Sequence, residues 1–330
     1  MAAVSVLLVV VACSPDAGPG TTVSLASGST DAAVGTSTEG SPPSTRAPDA
    51  ASPPSQWVGV RVSGSEYQVV AVATQGGTET VLWTWVVAPA EGDPTEPSDL
   101  AIRPPEAAVI VARCCEPTSG HVHSVPLDGS EEVAQVDQGY RFDLAGSVFA
   151  RVDAFTGMLG IKPAFPGFTG QWIQEEAGAF DVAVSHDGSA VVTLMVPEID
   201  ASGVGTGSAV VVYTTEPGEP AESHRWPVPE RRYCNVVALD HGLVGLMVGE
   251  PDQGDSGLWA CMGSTLDLFD YSTGEFSGGV VDLGAAVRHV STDDTGGLII
   301  ATTVDGSVIW SGPDGSRGTL ADTGFLVADW

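Results

Sequence analysis

The residues best suited to chemistry in this chain lie in one short segment, residues 114–123, with the sequence CCEPTSGHVH. If residues 117–120 form a turn, His121 and His123 share one face of the following strand, where a cysteine can lie opposite them. Thiolate and imidazole groups are ligands of zinc and copper. His121 and His123 are therefore a candidate site for a divalent metal. Because the spacing matches no zinc signature, ordinary hydrogen-bonded histidines are the alternative, and no other cofactor is expected.

Signatures of established catalytic sites are missing from the sequence. It contains no P-loop, no G-x-S-x-G turn, no H-E-x-x-H motif and no dinucleotide fingerprint. Residues 254–257 (GDSG) resemble the nucleophile turn of chymotrypsin-like serine proteases, but Leu258 and Trp259 depart from that motif and the required upstream histidine context is absent. Residues 251–257 instead predict a hairpin loop, whose Asp252 and Asp255 fall short of an EF-hand calcium spacing. No catalytic residue is predicted.

Composition limits the partners of this protein. The chain has 42 acidic and only 12 basic residues, for a formal net charge of −30. Such a charge repels phosphate backbones and anionic lipid head groups, so we expect no nucleic-acid partner and no electrostatic attachment to a membrane. Hydrophobic residues make up 43% of the chain, which is enough for a folded core.

The N-terminus predicts the compartment. Residues 4–12 (VSVLLVVVA) are an apolar run that is too short to span a membrane, which takes about 20 residues, and that ends at Cys13. Residues 10–13 (VVAC) resemble the lipobox of bacterial lipoproteins, and the Ala-, Gly-, Val- and Asp-rich composition is similar to that of actinobacterial proteins. The resemblance implies a signal peptide over residues 1–12 and a diacylglyceryl group on Cys13, which would anchor the protein to the outer face of the cytoplasmic membrane. The sequence departs from the pattern in having no Lys or Arg before the apolar run.

A tether is predicted over residues 13–55. Beyond the lipidated Cys13, this segment is rich in Ser, Thr, Gly, Ala and Pro and has almost no large apolar side chains, so it cannot offset the entropy of ordering. A flexible chain of about 42 residues has a root-mean-square reach of ~35–40 Å. We therefore expect a disordered tether that holds a folded domain, residues 56–330, clear of the membrane.

Four cysteines follow Cys13 in the chain, and in an exported protein an even number predicts two disulfides. Cys234 and Cys261 lie on neighbouring predicted strands and are the favoured pair. That pairing leaves Cys114 and Cys115 to form a strained vicinal disulfide. Alternatively, one of those two cysteines pairs with Cys234 or Cys261 and an odd thiol remains.

The folded part is predicted to be all-β. Short runs rich in Val, Ile, Thr and Trp recur between Gly, Pro, Asp and Ser clusters, as in residues 67–73 (YQVVAVA), 190–196 (AVVTLMV) and 298–304 (LIIATTV). Strand–turn–strand units recur, with Asp-Gly turns in residues 182–196 and 290–310. The S-x-D-G-x-x-V and D-G-x-V-x-W turns resemble those of the WD40-like and TolB-like propeller families, although the Trp-Asp dipeptide is missing.

The resemblance implies a β-propeller over residues 57–330. At ~45 residues per four-stranded blade, this length gives six blades, or seven if the blades are shorter. Residues 324–330 (GFLVADW) are predicted to pair with the strand that begins near Trp57, which would leave no exposed sheet edge. A pair of β-sandwiches is the alternative.

The sequence is compatible with two functions. The leading hypothesis is a non-catalytic binding or scaffolding module, displayed on the membrane by its lipid, with envelope proteins or cell-wall glycans as partners. The alternative is a glycan-active hydrolase or lyase, in which carboxylates and the possible sugar platforms Trp172, Trp226 and Trp259 surround one channel mouth. Packing in the core is the competing role for these tryptophans.

Overall fold

A computed structural model shows the folded part of the chain. The structure describes residues 52–86, 96–103, 108–114, 121–128, 133–153, 157–163, 178–196, 198–199, 205–206, 208–215, 220–228, 233–253 and 259–330. The predicted signal peptide, Cys13 and almost all of the predicted tether lie outside these residues. Among the described residues, no helix is long and apolar enough to cross a membrane.

The described residues form twenty-four β-strands and one short 3-10 helix, Asp240–Gly242. The first eight strands are β1 (Gln56–Ser63), β2 (Glu66–Ala73), β3 (Glu79–Val86), β4 (Glu96–Arg103), β5 (Ala108–Cys114), β6 (His121–Pro126), β7 (Ala134–Gln138) and β8 (Arg141–Ala145). The next eight are β9 (Val148–Val152), β10 (Leu159–Pro163), β11 (Ala179–Val184), β12 (Ala190–Met195), β13 (Glu198–Ile199), β14 (Gly205–Thr206), β15 (Ala209–Thr214) and β16 (Ala221–Pro227). The last eight are β17 (Tyr233–Ala238), β18 (Leu243–Gln253), β19 (Trp259–Asp270), β20 (Glu275–Thr292), β21 (Ile299–Thr303), β22 (Val308–Ser311), β23 (Arg317–Ala321) and β24 (Phe325–Asp329).

The strands form antiparallel sheets in which neighbours in sequence are mostly neighbours in space. Three sheets have four strands, in the orders β24-β1-β2-β3, β4-β5-β6-β7 and β11-β12-β15-β16, and a fourth has three, β10-β9-β8. The strands β17 to β23 form one seven-stranded sheet in sequence order, and β13 pairs with β14 in a small hairpin. The prediction of an all-β fold is confirmed.

The 18-residue strand β20 joins two groups of strands in the seven-stranded sheet. Its first half pairs with β19, where Glu275 lies opposite Asp270, and its last residues pair with β21, where Thr292 lies opposite Ile299. Exposed and half-buried residues alternate in the first half, whereas from Val287 to Thr292 no residue is exposed and Val287, His289 and Val290 are buried. The burial therefore changes where the strand passes from one set of neighbours to the other.

In the sheet β11-β12-β15-β16 the outermost strand is far less buried than the other three, and its sequence differs accordingly. All six residues of β12 (AVVTLM) are buried, as expected for a β-branched run covered on both faces. In the same sheet, β16 (AESHRWP) is almost entirely exposed. Polar side chains on the outermost strand discourage pairing with other chains.

Six strands face one another at the centre of the fold. These inner strands are β4, β8, β11, β17, β20 and β24; each contacts the next, and β24 contacts β4. Apolar clusters fill the layers between adjacent sheets, such as the cluster in which Tyr140 and Ile161 meet Val182 and Tyr213. The sheets are thus arranged around an axis, with separate core layers between them.

The last strand is paired with the first. In the register of β24 with β1, Gly59 lies opposite Ala328. The rings of Trp57 and Phe325 meet edge-to-face with centroids 4.8 Å apart, and a Cβ at Gly59 would lie 2.7 Å from the Phe325 ring. Glycine is therefore needed at this position for the two ends of the folded part to pack.

The Asp-Gly turns predicted from the sequence are hairpin turns with a common construction. In the turn between β11 and β12, Oδ1 of Asp187 accepts hydrogen bonds from the hydroxyls of Ser185 and Ser189 and from the Ser189 N–H. Asp305 accepts in the same way from the Ser307 N–H. Gly188 has a positive φ of 71°, which favours glycine. A tight turn leaves some backbone N–H groups without a backbone acceptor, and the aspartate oxygen accepts hydrogen bonds from them instead.

Candidate functional site

A cavity of about 440 Å³ lies between the inner strands. Each inner strand contributes at least one polar side chain to its lining, and we call the following six residues, one from each strand, the inner ring: Asp99, Asp143, Asp181, Asn235, His289 and Asp329. The strand β20 also contributes Ser291 and Thr292. All members of the inner ring except Asp143 are at least nine-tenths buried. Apolar residues beside them, such as Leu100, Val182 and Val236, complete the wall.

Carboxylates of the inner ring connect each inner strand to the next. In four successive cases, Oδ2 of the aspartate accepts a hydrogen bond from a backbone N–H of the following inner strand: Asp329 from Ile102 (2.8 Å), Asp99 from Phe142 (2.9 Å), Asp143 from Val184 (2.7 Å) and Asp181 from Val236 (2.8 Å). The four strands that donate these N–H groups, β4, β8, β11 and β17, are sheet edges, whose N–H groups need partners. The aspartates supply those partners and hold neighbouring sheets in register.

Asn235 and His289 are the two members of the inner ring that do not follow this pattern. Nε2 of His289 lies 3.0 Å from Oδ1 of Asp99, a residue that also accepts the N–H groups of Leu100 and Phe142. Among the described residues, Nδ1 of His289 and Oδ1 of Asn235 are buried without a hydrogen-bond partner. Buried polar atoms are nearly always paired, so these two atoms mark a place where a partner is needed.

Burial weakens the acidity of the ring. It raises the pKa of Asp143, Asp181 and Asp329 each to about 7, although hydrogen bonds from backbone N–H groups act in the opposite direction. For Arg141, which precedes Phe142 on β8, burial by itself would lower the pKa, but the carboxylates of Asp181 and Asp99 outweigh it and raise the pKa. Asp143, Asp181 and Asp329 therefore change protonation state near neutral pH.

Turns at the ends of the inner strands surround the mouth of the cavity. His186, Asp293, Asp294 and Trp330 line it there. Asp293 accepts hydrogen bonds from the backbone N–H groups of Gly297 and Leu298, both at 2.9 Å, so its carboxylate also stabilises its own turn. The buried ring nitrogens His186 Nε2 and Trp330 Nε1 have no hydrogen-bond partner among the described residues.

The histidines predicted as a metal site lie on β6, away from this cavity. Their rings are 6.2 Å apart, and His123 also lies 5.0 Å from the ring of Trp83. The two residues share one face of the strand, as predicted. Within the described ranges no group of three or more His, Cys, Asp or Glu side chains is placed to hold a metal ion. Cys115 and the side chain of Cys114 lie outside those ranges, so a metal there stays a prediction.

The favoured pair of cysteines lies on alternate strands and not, as the sequence suggested, on neighbouring ones. Cys234 is buried on β17 and Cys261 belongs to β19, with β18 between them. The side chain of Cys261 lies outside the described residues, and the pairing therefore stays a prediction. Asp252 pairs with Ala260 and Gln253 with Trp259, so residues 254–258 connect two antiparallel strands where a hairpin loop was predicted.

Among the three tryptophans considered as sugar platforms, Trp226 packs against a neighbouring sheet. Its Nε1 donates to the carbonyl of Tyr271 at 3.2 Å, and a Cβ at Gly274 would lie 2.4 Å from its indole. Its ring also stacks on His224 at 5.2 Å. This supports the packing role for Trp226, whereas Trp172 and the side chain of Trp259 lie outside the described residues.

The inner ring was not predicted from the sequence, although a weak signal exists. Asp99, Asp143 and Asp181 begin the tripeptides DLA, DLA and DVA, and Asn235 and His289 begin NVV and HVS. An aspartate inside an apolar strand that recurs at about the spacing of the sheets is unusual, because carboxylates are rarely buried unless they are paired. Comparing the first strands of successive units would have found it.

Comparison with solved structures identifies the fold. The chain is similar to one in a crystal structure of a nidogen/laminin complex (TM-score 0.52, 8% identity, 83% of this chain and 97% of that one). It is similar to TolB from Acinetobacter baumannii (TM-score 0.54, 11% identity, 83% and 66%) and to a chain of a mitotic checkpoint complex (TM-score 0.50, 11% identity, 82% and 78%). These similarities support a β-propeller rather than a pair of β-sandwiches. No family model and no curated protein sequence matches the chain.

Proposed function

We propose that this protein is a lipid-anchored, extracytoplasmic binding module whose propeller domain takes up a small polar ligand in the inner-ring cavity. The supporting observation is the pair of unpartnered polar atoms, Asn235 Oδ1 and His289 Nδ1, buried in the wall of a cavity of about 440 Å³. Ligand sites commonly measure about 300–1,000 Å³ and place a few polar groups among apolar ones. Cys13 and the tether would hold this cavity outside the membrane.

The surface gives less support for a scaffold that binds through an apolar face. The large hydrophobic residues exposed in the described part of the chain are five valines: Val62, Val81, Val86, Val280 and Val304. Protein-docking surfaces are richer in aromatic residues and methionine. The cavity is therefore the better candidate for the binding function.

The architecture proposed for the propeller is six blades. Six inner strands and six inner-ring residues support this number. On this interpretation the seven-stranded sheet is two blades that share β20, and the pairing of β24 with β1 completes the first blade with strands from both ends of the folded part.

A glycan-active hydrolase is the second candidate, and one observation favours it. Asp143, Asp181 and Asp329 share a cavity and have pKa values raised to about 7, which suits a general acid near neutral pH. However, each of these carboxylates already accepts a backbone N–H from the next strand, which is a structural role. Binding therefore remains the leading proposal.

Native mass spectrometry of the full chain, extracted from its own envelope in mild detergent, tests the proposed function. We expect an additional small mass that is released on denaturation, and we expect Asn235→Ala to reduce its occupancy. If the extracted chain carries no such mass and instead releases reducing ends from cell-wall glycan, the hydrolase proposal replaces the binding proposal.

A further inference from the structure

We propose that the inner-ring cavity binds a small organic cation carrying at least one ammonium group. This inference rests on the binding function proposed above and specifies its ligand. Four features carry it: the kind of polar atom left without a partner, the balance of charge, the spacing of the carboxylates and the size of the cavity.

The inner ring offers acceptors to a ligand. Asn235 Oδ1 has no hydrogen-bond partner among the described residues, and its residue is more than nine-tenths buried. Nδ1 of His289 is likewise buried without a partner, while Nε2 of the same ring lies 3.0 Å from Asp99. The Asp329 carboxyl group lines the same cavity and accepts the Ile102 N–H. An ammonium group offers donors only, and so it matches the amide and carboxylate oxygens of the ring.

The balance of charged groups in the cavity also favours a cationic ligand. Carboxylates enter from four inner strands, β4, β8, β11 and β24, and the other two inner strands contribute a neutral amide and an imidazole. Arg141 is the cation that acts on Asp99 and Asp181, and His186 faces the mouth together with Asp293 and Asp294. Carboxylates therefore outnumber cationic groups, and a positively charged ligand would restore the balance.

The spacing of these groups favours an organic cation over a metal ion. In the described part of the chain, no three His, Cys, Asp or Glu side chains are close enough together to coordinate one ion. The cavity of about 440 Å³ is also much larger than the ~30 Å³ occupied by one water molecule. A ligand several atoms long can reach acceptors on different inner strands, which a single ion cannot.

Protonation of the ring carboxylates makes the affinity for a cation depend on pH. Burial raises the pKa of Asp181 and Asp329 to about 7, so each carboxylate is mostly neutral at pH 6 and mostly ionised at pH 8. A cation stabilises the ionised form, and its binding must therefore release protons near neutral pH. Affinity should rise about tenfold from pH 6 to pH 8 if one such carboxylate contacts the ligand.

Isothermal titration calorimetry of the full chain in mild detergent tests this, with 1,4-diaminobutane as the probe and 1,4-butanediol as its uncharged counterpart. About 0.15 M salt screens weak binding to the acidic surface. We expect one diamine per chain, tighter binding at the higher pH, proton release in buffers of different ionisation enthalpy, and no binding of the diol.

Two variants of the cavity and one control locate the site. Asp329→Asn removes a charge but keeps an acceptor for the Ile102 N–H, and Asn235→Ala removes an unpartnered acceptor; each should weaken diamine binding about tenfold or more. Asp282→Asn makes the same chemical change at an exposed carboxylate of β20 that accepts the Gly284 N–H, and it should have no effect.

Three results would overturn the inference. Equal binding by all variants would place the diamine on the acidic surface. Binding of the diol as tight as that of the diamine, without pH dependence, would refute the cationic ligand while leaving the binding function intact. If neither probe binds and the extracted chain carries no additional mass, both the inference and the proposed function fail.

Discussion

Nε2 of His289 lies 3.0 Å from Oδ1 of Asp99, although the two residues are separated by 190 positions in the sequence. His289 belongs to β20 and Asp99 to β4, and β24 contacts both of these strands. The pair therefore joins two inner strands that are not neighbours, since β24 lies between them. It connects sheets formed by the beginning and the end of the folded domain.

Removing the histidine should destabilise the domain. His289→Ala leaves a buried carboxylate with one fewer donor, and we expect a loss of about 1–3 kcal/mol in the free energy of unfolding. A double-mutant cycle with Asp99→Asn, measured by urea denaturation, isolates the coupling of the pair, which we expect to be about 0.5–3 kcal/mol. Strict additivity of the two substitutions would show that the contact contributes nothing to stability.

The raised pKa values of the ring predict an unusual dependence of stability on pH. A carboxylate with a folded-state pKa of about 7 and an ordinary value of 3.8 binds more protons in the folded state, so its contribution is complete below pH 3.8 and is lost as pH rises through 7. Asp187 and Asp270 behave oppositely, because hydrogen bonds to their oxygens lower their pKa values, and their contribution is lost as pH falls below 3.8. The melting temperature should therefore be highest between about pH 4 and pH 5.

The decline above that range should be smaller in Asp181→Asn. One pKa unit corresponds to about 1.4 kcal/mol, and the amide keeps an acceptor for the Val236 N–H without titrating. Melting curves from pH 4 to pH 9 measure this effect. Asp282→Asn controls for the general benefit of removing one negative charge from a chain of net charge −30. If both variants flatten the profile equally, the pH dependence comes from surface repulsion and not from the inner ring.

The strands and their turns could be predicted from the sequence, whereas the inner ring left only a weak repeated signal that was not recognised. Apolar runs such as residues 190–196 identify strands because β-branched side chains fit a pleated surface, and the Asp187 turn has local chemistry that is visible within five residues. The ring depends on contacts such as Asp329 with Ile102, across 227 positions. No local pattern specifies that six separate strands meet at one axis.

The metal prediction, which stays untested, rested on residues that are close together in the sequence. His121 and His123 drew attention because they are close in sequence, and they do share a strand face. The structure shows a second set of polar residues, far apart in sequence, that line an actual cavity. Proximity along the chain is a poor guide to which polar residues meet in a fold whose central cavity is lined from six separate strands.

Asp187→Ala should destabilise the hairpin between β11 and β12. The substitution removes the acceptor of three hydrogen bonds, two from hydroxyls and one from the Ser189 N–H, and we expect a loss of about 1–2 kcal/mol in a partly exposed turn. Urea denaturation monitored by tryptophan fluorescence measures it. Asp322→Ala changes another exposed carboxylate and should lie within about 0.5 kcal/mol of the wild type. An equally small effect at Asp187 would contradict the structural role of this turn.

Lipidation of Cys13 is tested by fractionation of cells. Two acyl chains anchor a protein stably, whereas the acidic chain has no polybasic patch to replace them. Cys13→Ala should therefore move the protein from the membrane fraction to the soluble fraction with no change in its melting temperature. Cys13→Ala protein that stays firmly in the membrane fraction would refute the lipoprotein hypothesis.

A disulfide between Cys234 and Cys261 would have to pass across β18, and Gly249 lies where it would cross. A Cβ at Gly249 would lie 2.9 Å from Sγ of Cys234 and 2.3 Å from the carbonyl oxygen of Met262, the residue next to Cys261. Since β18 pairs with both β17 and β19, only glycine leaves room for the sulfur to reach over the strand. This arrangement supports the pairing that the sequence favours.

Peptide mapping without reduction should find the peptides of Cys234 and Cys261 joined. Cys234→Ser and Cys261→Ser should each lower the free energy of unfolding by roughly 2–4 kcal/mol, and the double variant should lose no more than either single one, because both remove the same bond. Gly249→Ala should also destabilise the domain, since an added Cβ meets the backbone of β19 whether or not the bond is present. Alkylation of both thiols in unreduced protein would contradict the pairing. If Gly249→Ala destabilises the domain and the two cysteine variants do not, the glycine is needed only for the close packing of β18 and β19.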